Sequence, residues 1–214
     1  SYGTVESENG SYVGGVAGQA SATIQHCFVK CGLSGGSYVG GVVGSGVTDS
    51  VTGADSIVAR CYTLVEITES DQFAGAIAGC DAGTFLENYF VSDELEGIDR
   101  LSRTGQAEPI AYKQLMRVED IPEEFETFTL TFTAEDEVLA SYEFSYGDSF
   151  DETVCPEIPQ KDGNYADWDR EELSELHFDT QVSAQYRPFV TALASPAQRE
   201  DRRPAFLLEG EFTD

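Results

Sequence analysis

The sequence predicts a mainly β protein: Gly-rich β-solenoid turns, a short mixed capping segment, and then a small β-sheet module. Three observations predict it. A seven-residue block of glycines and small apolar residues returns three times before residue 80. The stretch that holds it is rich in glycine and β-branched residues, a poor composition for helix. Later, two runs of alternating apolar residues flank a short polar break, the pattern of a half-buried hairpin.

The repeat comes first in the chain. Its copies read Tyr12-Val13-Gly14-Gly15-Val16-Ala17-Gly18, Tyr38-Val39-Gly40-Gly41-Val42-Val43-Gly44 and Phe73-Ala74-Gly75-Ala76-Ile77-Ala78-Gly79. A second block follows each: Ile24 with Cys27-Phe28, Val58 with Cys61-Tyr62, and Phe85 with Asn88-Tyr89. The period is about 26 residues, within the range that signals stacked repeats; copy two is longer through an insertion around Val47 to Ala54. One such turn cannot bury its own apolar face, so neighbouring turns must supply the core. Stacking like on like puts Tyr12, Tyr38 and Phe73 in one column, and Cys27, Cys61 and Asn88 in another. Gly14, Gly15, Gly18, Gly40, Gly41, Gly44, Gly75 and Gly79 are expected to turn corners or touch backbone, and so to reject larger side chains. Ser1 to Glu6 aligns with Cys61 to Glu66, so the chain is expected to begin part-way through a turn, with further turns before it.

After Val91 the glycine rhythm stops. Residues 92–125 read as an ordered cap on the solenoid's end, which would otherwise expose apolar surface and unpaired backbone. Ala111 to Val118 suits a short helix with Leu115, Met116 and Val118 for packing; Pro109 and Pro122 lie just outside it, at acceptable boundaries. From 126 to 188 the pattern is sheet. Phe128, Leu130 and Phe132 alternate with threonines, a polar turn spans Ala134 to Glu137, and Val138, Ala140, Tyr142, Phe144 and Tyr146 alternate again. Gln181 to Tyr186 supplies another strand. Residues 189–214 read as a linker and a terminal strand at Phe206-Leu207-Leu208.

Charge narrows the partners. Asp and Glu outnumber Lys and Arg by 39 to 12, a net charge of −27. Such a field repels nucleic-acid phosphates and anionic membranes, and no apolar run is long enough to span a bilayer. Five cysteines, at 27, 31, 61, 80 and 155, complete neither a disulfide framework nor a zinc set, and read as buried free thiols. His26 and His177 are far apart and outside any His-Glu-x-x-His pattern; His26 reads as a corner histidine. No Gly-Lys-Ser/Thr follows Gly35-Gly36 or Gly40-Gly41, which excludes a phosphate loop. Paired carboxylates are too many to inform, so no catalytic residue and no cofactor is assigned. For calcium, Asp49 with Asp55, and Asp167, Asp169 and Glu171, offer oxygen ligands without EF-hand spacing; a solvated acidic face explains them better.

The repeat blocks over residues 1–91 resemble the GLUG family of Gly-rich repeats found in large bacterial surface proteins. That resemblance implies a parallel β-helix-like segment of an extracellular protein, without catalysis of its own. The Thr-Phe strand at 129–132, Tyr146-Gly147-Asp148, Pro156 to Pro159, Gly163 with Trp168, and Val182-x-Ala184-x-Tyr186 together resemble the internalin-type B-repeat, or Listeria–Bacteroides repeat. It implies a small β-grasp-like module over about 126–188, with Trp168 as a core anchor. The family's Gly-rich first loop is replaced here by Ala134-Glu135-Asp136-Glu137. The expected function is a non-catalytic stalk or adhesion module at the cell surface, binding a host or cell-surface protein or a glycan, with no nucleic acid and no membrane insertion. The alternative is an accessory region that positions a secreted hydrolase. If a ligand is bound, the insertion at 46–55 is the expected contact, because insertions in repeats map to loops.

Overall fold

The computed structural model describes residues 1–7, 10–70, 72–135, 137–170 and 172–189. The strand expected at Phe206–Leu208 lies outside the described residues, as do Asp136 and Glu171. The fold is mainly β with parallel sheets and one mixed sheet. It divides into two compact units, one of Ser1–Thr129 with Glu143–Asp148 and Glu175–Asp179, the other of Leu130–Tyr142 with Ser149–Ser174 and the described residues from Thr180 to Phe189.

In the first unit the repeats become rungs of short strands. The first rung holds β1 (Tyr2–Glu6), β2 (Ser11–Gly14), β3 (Ala17–Ala20) and β4 (Thr23–Gln25). The second holds β5 (Phe28–Ser34), β6 (Ser37–Gly40), β7 (Val43–Gly46) and β8 (Ile57–Ala59). The third holds β9 (Tyr62–Glu69), β10 (Gln72–Gly75) and β11 (Thr84–Leu86). Each strand pairs in parallel with its counterpart: Val13 with Val39 and Val39 with Ala74, Ile24 with Val58 and Val58 with Phe85. Their inward side chains form one core, in which Val29, Val39, Val42, Val43 and Ile77 are fully buried. Two aromatic columns run along the stack. Tyr12, Tyr38 and Phe73 lie face to face at 4.8 and 4.6 Å, as the repeat predicts, and Phe28, Tyr62 and Tyr89 follow at 5.5 Å intervals.

The bends that follow β2 and β6 fall at Gly15-Val16 and Gly41-Val42, yet no repeat glycine takes left-handed backbone. Left-handed backbone falls instead on Tyr12, Tyr38 and Phe73 (φ 65, 56 and 61°) and on His26, Arg60 and Glu87 (φ 54, 51 and 52°), at matching positions of each rung. A non-glycine residue there costs on the order of 1 kcal/mol or more. Ring stacking, worth about 0.5–1.5 kcal/mol per pair, offsets that cost at Tyr12, Tyr38 and Phe73, which lie inside β2, β6 and β10. The repeat glycines have the other expected task, close backbone approach. A Cβ on Gly18 would stand 2.3 Å from the Tyr12 carbonyl oxygen, and one on Gly40 2.1 Å from that of Val43.

The first strand also sits differently from its sequence alignment. Tyr2 pairs with Lys30 and Val5 with Leu33, two residues along from the alignment that places Tyr2 in the Phe28–Tyr62 column. A shift of two keeps every side chain on its own face, so alternation alone leaves it open.

Parallel stacking continues past Val91. The strand β12 (Asn88–Val91) pairs with β9 on one side and with β13 (Ala107–Pro109) on the other. Ile77 N–H donates to the Gly97 carbonyl and Glu87 N–H to that of Gly105, while Ile98 and Ala107 are buried in the core. Residues 96–109 therefore lie over the end of the third rung. The helix α1 (Tyr112–Leu115) follows, with Leu115 fully buried and Ala111 N–H donating to Gln114 Oε1.

The sheet module has four strands: β14 (Phe128–Ala134), β15 (Glu137–Phe144), β16 (Asn164–Trp168) and β17 (Thr180–Pro188), in the order β15-β14-β17-β16. The first and last in sequence are central and parallel, Phe132 opposite Val182, and β16 runs antiparallel to β17. In the second unit, half-buried Trp168 meets the fully buried Phe132 edge-on at 5.1 Å.

Candidate functional site

The insertion in copy two is the candidate contact site, and its own side chains build it. The Asp49 carboxylate accepts the N–H groups of Val51 and Thr52 and the Thr52 hydroxyl. The Thr52 donors, then Val51, hold Asp49 below its ordinary carboxylate range. Asp49 N–H donates to the Ala54 carbonyl, Gly53 N–H to that of Asp49, and the Thr48 hydroxyl to Asp55 at 2.6 Å. Gly53 takes φ +69°, which closes the turn. The result is a pinned loop that presents Val51 at its tip, 91% exposed. An aliphatic side chain so displayed contributes nothing to the core.

Asp49 and Asp55 each serve a bond inside the loop, and Asp169 accepts the Ser183 N–H at 2.9 Å. Among the described residues no three His, Cys, Asp or Glu side chains gather as a metal set, and no helix is long and apolar enough to cross a membrane. His26 is an exposed corner residue, and the neighbouring Cys27 thiol faces the Gln25 carbonyl. A groove of about 530 Å³ in the second unit is lined by Phe150, Asp151, Thr153, Cys155, Leu173 and Ser174. Burial, then the charges of Glu152 and Asp151, push the Cys155 thiol up, so it offers little thiolate for chemistry.

The cysteines are free. Burial pushes Cys61 up to about 12, with Cys27 beside it, and also raises Cys31. Tyr62, Tyr112 and Tyr146 are raised too, burial again first. In every case the fold prefers the neutral form. Its stabilising contribution is therefore complete below the unfolded values, 9.0 for thiols and 10.0 for phenols, and is lost as pH rises through the folded ones. Chemical denaturation is expected to give a midpoint flat from neutrality to about pH 9 that then falls steadily toward pH 12. A midpoint that rose in that window would contradict the burial of these groups.

Two interior polar groups carry no sequence signature. Asn88 stands where earlier copies have cysteine. Fully buried, it accepts the Cys61 N–H at 3.0 Å and donates to the carbonyls of Val58 and Gln106 at 2.9 and 3.0 Å. Asn88→Ala strands all three partners and is expected to cost about 2–3 kcal/mol, read from the denaturant midpoint. Asn88→Cys, though it restores the repeat, is expected to cost nearly as much.

Lys30 is the other, and its side chain is 2% exposed. On β5, Val29, Cys31 and Leu33 face the repeat core, and Lys30 occupies the opposite face with Phe28 and Gly32. That face is covered within the same unit by Phe125, Phe128 and Phe178. The Lys30 ammonium lies 4.0 Å from the centre of the Phe128 ring, donates to the Thr127 carbonyl at 2.8 Å and pairs with Asp179 at 3.2 Å. Asp179 also accepts the Thr129 N–H at 2.8 Å. An ammonium so enclosed is a structural tie. Comparison of the chain with protein-family models, with curated proteins and with solved structures finds no match.

Proposed function

We propose that the chain is a non-catalytic stalk or adhesion module of a large secreted or cell-surface bacterial protein. In this reading residues 1–91 are GLUG-type repeats coiled as a β-helix-like solenoid, and residues of about 126–188 are an internalin-type B-repeat. The observation that carries it is the like-on-like stacking of rungs, Tyr12 on Tyr38 on Phe73. Stacked rungs give a stiff scaffold whose reach grows with rung number. A loop inserted between strands can then vary without disturbing the core. The partner is a host or cell-surface protein or a glycan, met by the 46–55 loop. Sugar stacking on Tyr38 is disfavoured, because both of its ring faces are spent on Tyr12 and Phe73.

The test is a glycan and host-protein array probed with the 214-residue chain, with and without calcium. A variant lacking Asp49–Ala54 serves as the control. Thr48 and Asp55 already meet, so the excision joins neighbouring ends. Saturable binding to one ligand class, lost in the variant, is expected. Silence from folded protein would sink the adhesion role and leave a spacer.

A further inference from the structure

One column of the rung stack carries chemistry that a stalk does not use. Phe28 lies opposite Tyr62 and Val29 opposite Thr63, so Cys27 and Cys61, one step before, stand side by side in neighbouring rungs. Tyr62 N–H donates to the Cys27 carbonyl at 2.8 Å, which fixes that register. Phe28 and Tyr62 stack on the face away from the repeat core, and the thiols before them turn inward. Cys61 is buried in that core and Cys27 packs against it. The Cys61 thiol hydrogen-bonds with both the backbone and the thiol of Cys27.

The spacing suits a covalent bond. Paired strands lie about 4.8 Å apart, inside the roughly 4.4–6.8 Å between α-carbons that a disulfide spans. Each cysteine follows a left-handed residue, His26 or Arg60, and stands just before β5 or β9, where the backbone can adjust. Asn88 steadies Cys61 from the next rung by accepting its N–H at 3.0 Å. The other cysteines have no such partner in register. Cys31 lies between Gly3 and Val65, Cys80 follows Gly79 as Ser45 follows Gly44, and Cys155 belongs to the second unit.

We propose that Cys27 and Cys61 form a disulfide site, a covalent staple between the first and second rungs that closes when the folded chain meets oxidised glutathione. Cys27 reacts first, being half-buried where Cys61 is fully buried. Its thiolate bonds to one sulfur of the glutathione disulfide and expels the other as a thiolate. Cys61, having given its proton to water, then attacks the Cys27 sulfur and expels the second glutathione. Two protein thiols are oxidised and one glutathione disulfide is reduced to two thiols, so no other electron carrier enters. The bond encloses the second rung with its 46–55 insertion, and it restrains a long stretch of the unfolded chain. Secreted proteins meet such oxidants, but the linkage stands on geometry and not on the adhesion role.

The experiment treats the folded 214-residue chain with oxidised glutathione, blocks the remaining thiols and maps tryptic peptides by mass without reduction. Cleavage after Lys30, Arg60 and Arg100 places Cys27 in residues 1–30, Cys31 in 31–60, and Cys61 with Cys80 in 61–100. The expected product joins 1–30 to 61–100, in the parent and equally in Cys80→Ala. Its melting temperature is expected to rise by about 5 °C or more. Cys61→Ala should lack both the product and the rise, and the parent's map decides the matter even if that variant fails to fold. A chain that keeps all five thiols, or that stops at a glutathione adduct on Cys27, would overturn the proposal. So would a link through Cys31 or Cys155, a link lost in Cys80→Ala, or one that forms only in denaturant. Silence on the ligand array leaves every one of these readouts unchanged.

Discussion

Gly41→Ala is expected to unfold or aggregate the protein, while Gly32→Ala is expected to leave it folded and slightly stabilised. Both glycines are buried in the rung stack and neither has left-handed backbone, so composition and burial do not separate them. The space around them does. A Cβ on Gly41 would lie 1.8 Å from the Ala76 carbonyl oxygen and 2.8 Å from its carbon, in the backbone of the next rung. Backbone cannot rotate aside as a side chain can. The rungs would have to separate, breaking the Gly41 N–H bond to Gly75 and the Val42 N–H bond to Ile77 beside it. The loss is expected to exceed about 4 kcal/mol, beyond the range of ordinary substitutions, and Gly41→Val should be worse. A Cβ on Gly32 meets Thr4 at 3.7 Å and Phe178 at 3.8 Å, ordinary contact distances. There the lower entropy of the unfolded chain is expected to add about 0.4–1 kcal/mol. Thermal melts of the two single variants decide the matter, and equal behaviour would refute the close-approach account.

Lys30→Ala is the second large effect. It removes the cation from Asp179, leaves the Thr127 carbonyl without its donor, and opens a void over the Phe128 ring. Losing one member of a buried pair costs about 3–5 kcal/mol. Asp179 is 39% exposed and keeps the Thr129 N–H, so water recovers part of that, and about 2–4 kcal/mol is expected. Lys30→Met keeps the stem's packing and should recover about half of the loss. Denaturant midpoints of the two variants separate the charge from the packing. If Lys30→Ala were as stable as the parent, the tie would contribute nothing.

The rungs were legible because a repeat states its own register. Once Tyr12, Tyr38 and Phe73 are aligned, the column Val13–Val39–Ala74 follows, and aligning the second block across the insertion gives Cys27–Cys61–Asn88, since like units stack on like. The hairpin of the sheet module was legible from its alternation. The first strand was not, since it has only one neighbour and its pattern specifies a face but not a step of two. Ala76 misleads in the same way. It shows alanine at the position of Gly15 and Gly41, yet beyond Ala76 lies the 96–98 segment and not another copy of the block. The candidate site was legible as an interruption of the period, but the pinning of its loop by Asp49 was not.

From its sequence alone this protein was bound to be mainly β, to build its first part by stacking short strands, and to carry its charge away from the first rung. Those properties follow from periodicity, propensity and composition, which are local or additive along the chain. Tertiary structure alone decided that stacked aromatic residues take left-handed backbone, that Gly41 and Gly32 differ, and that Lys30 is buried while Tyr2, its partner in register, is not. Each of these depends on which atoms from distant parts of the chain come within a few ångströms, and no local pattern encodes that.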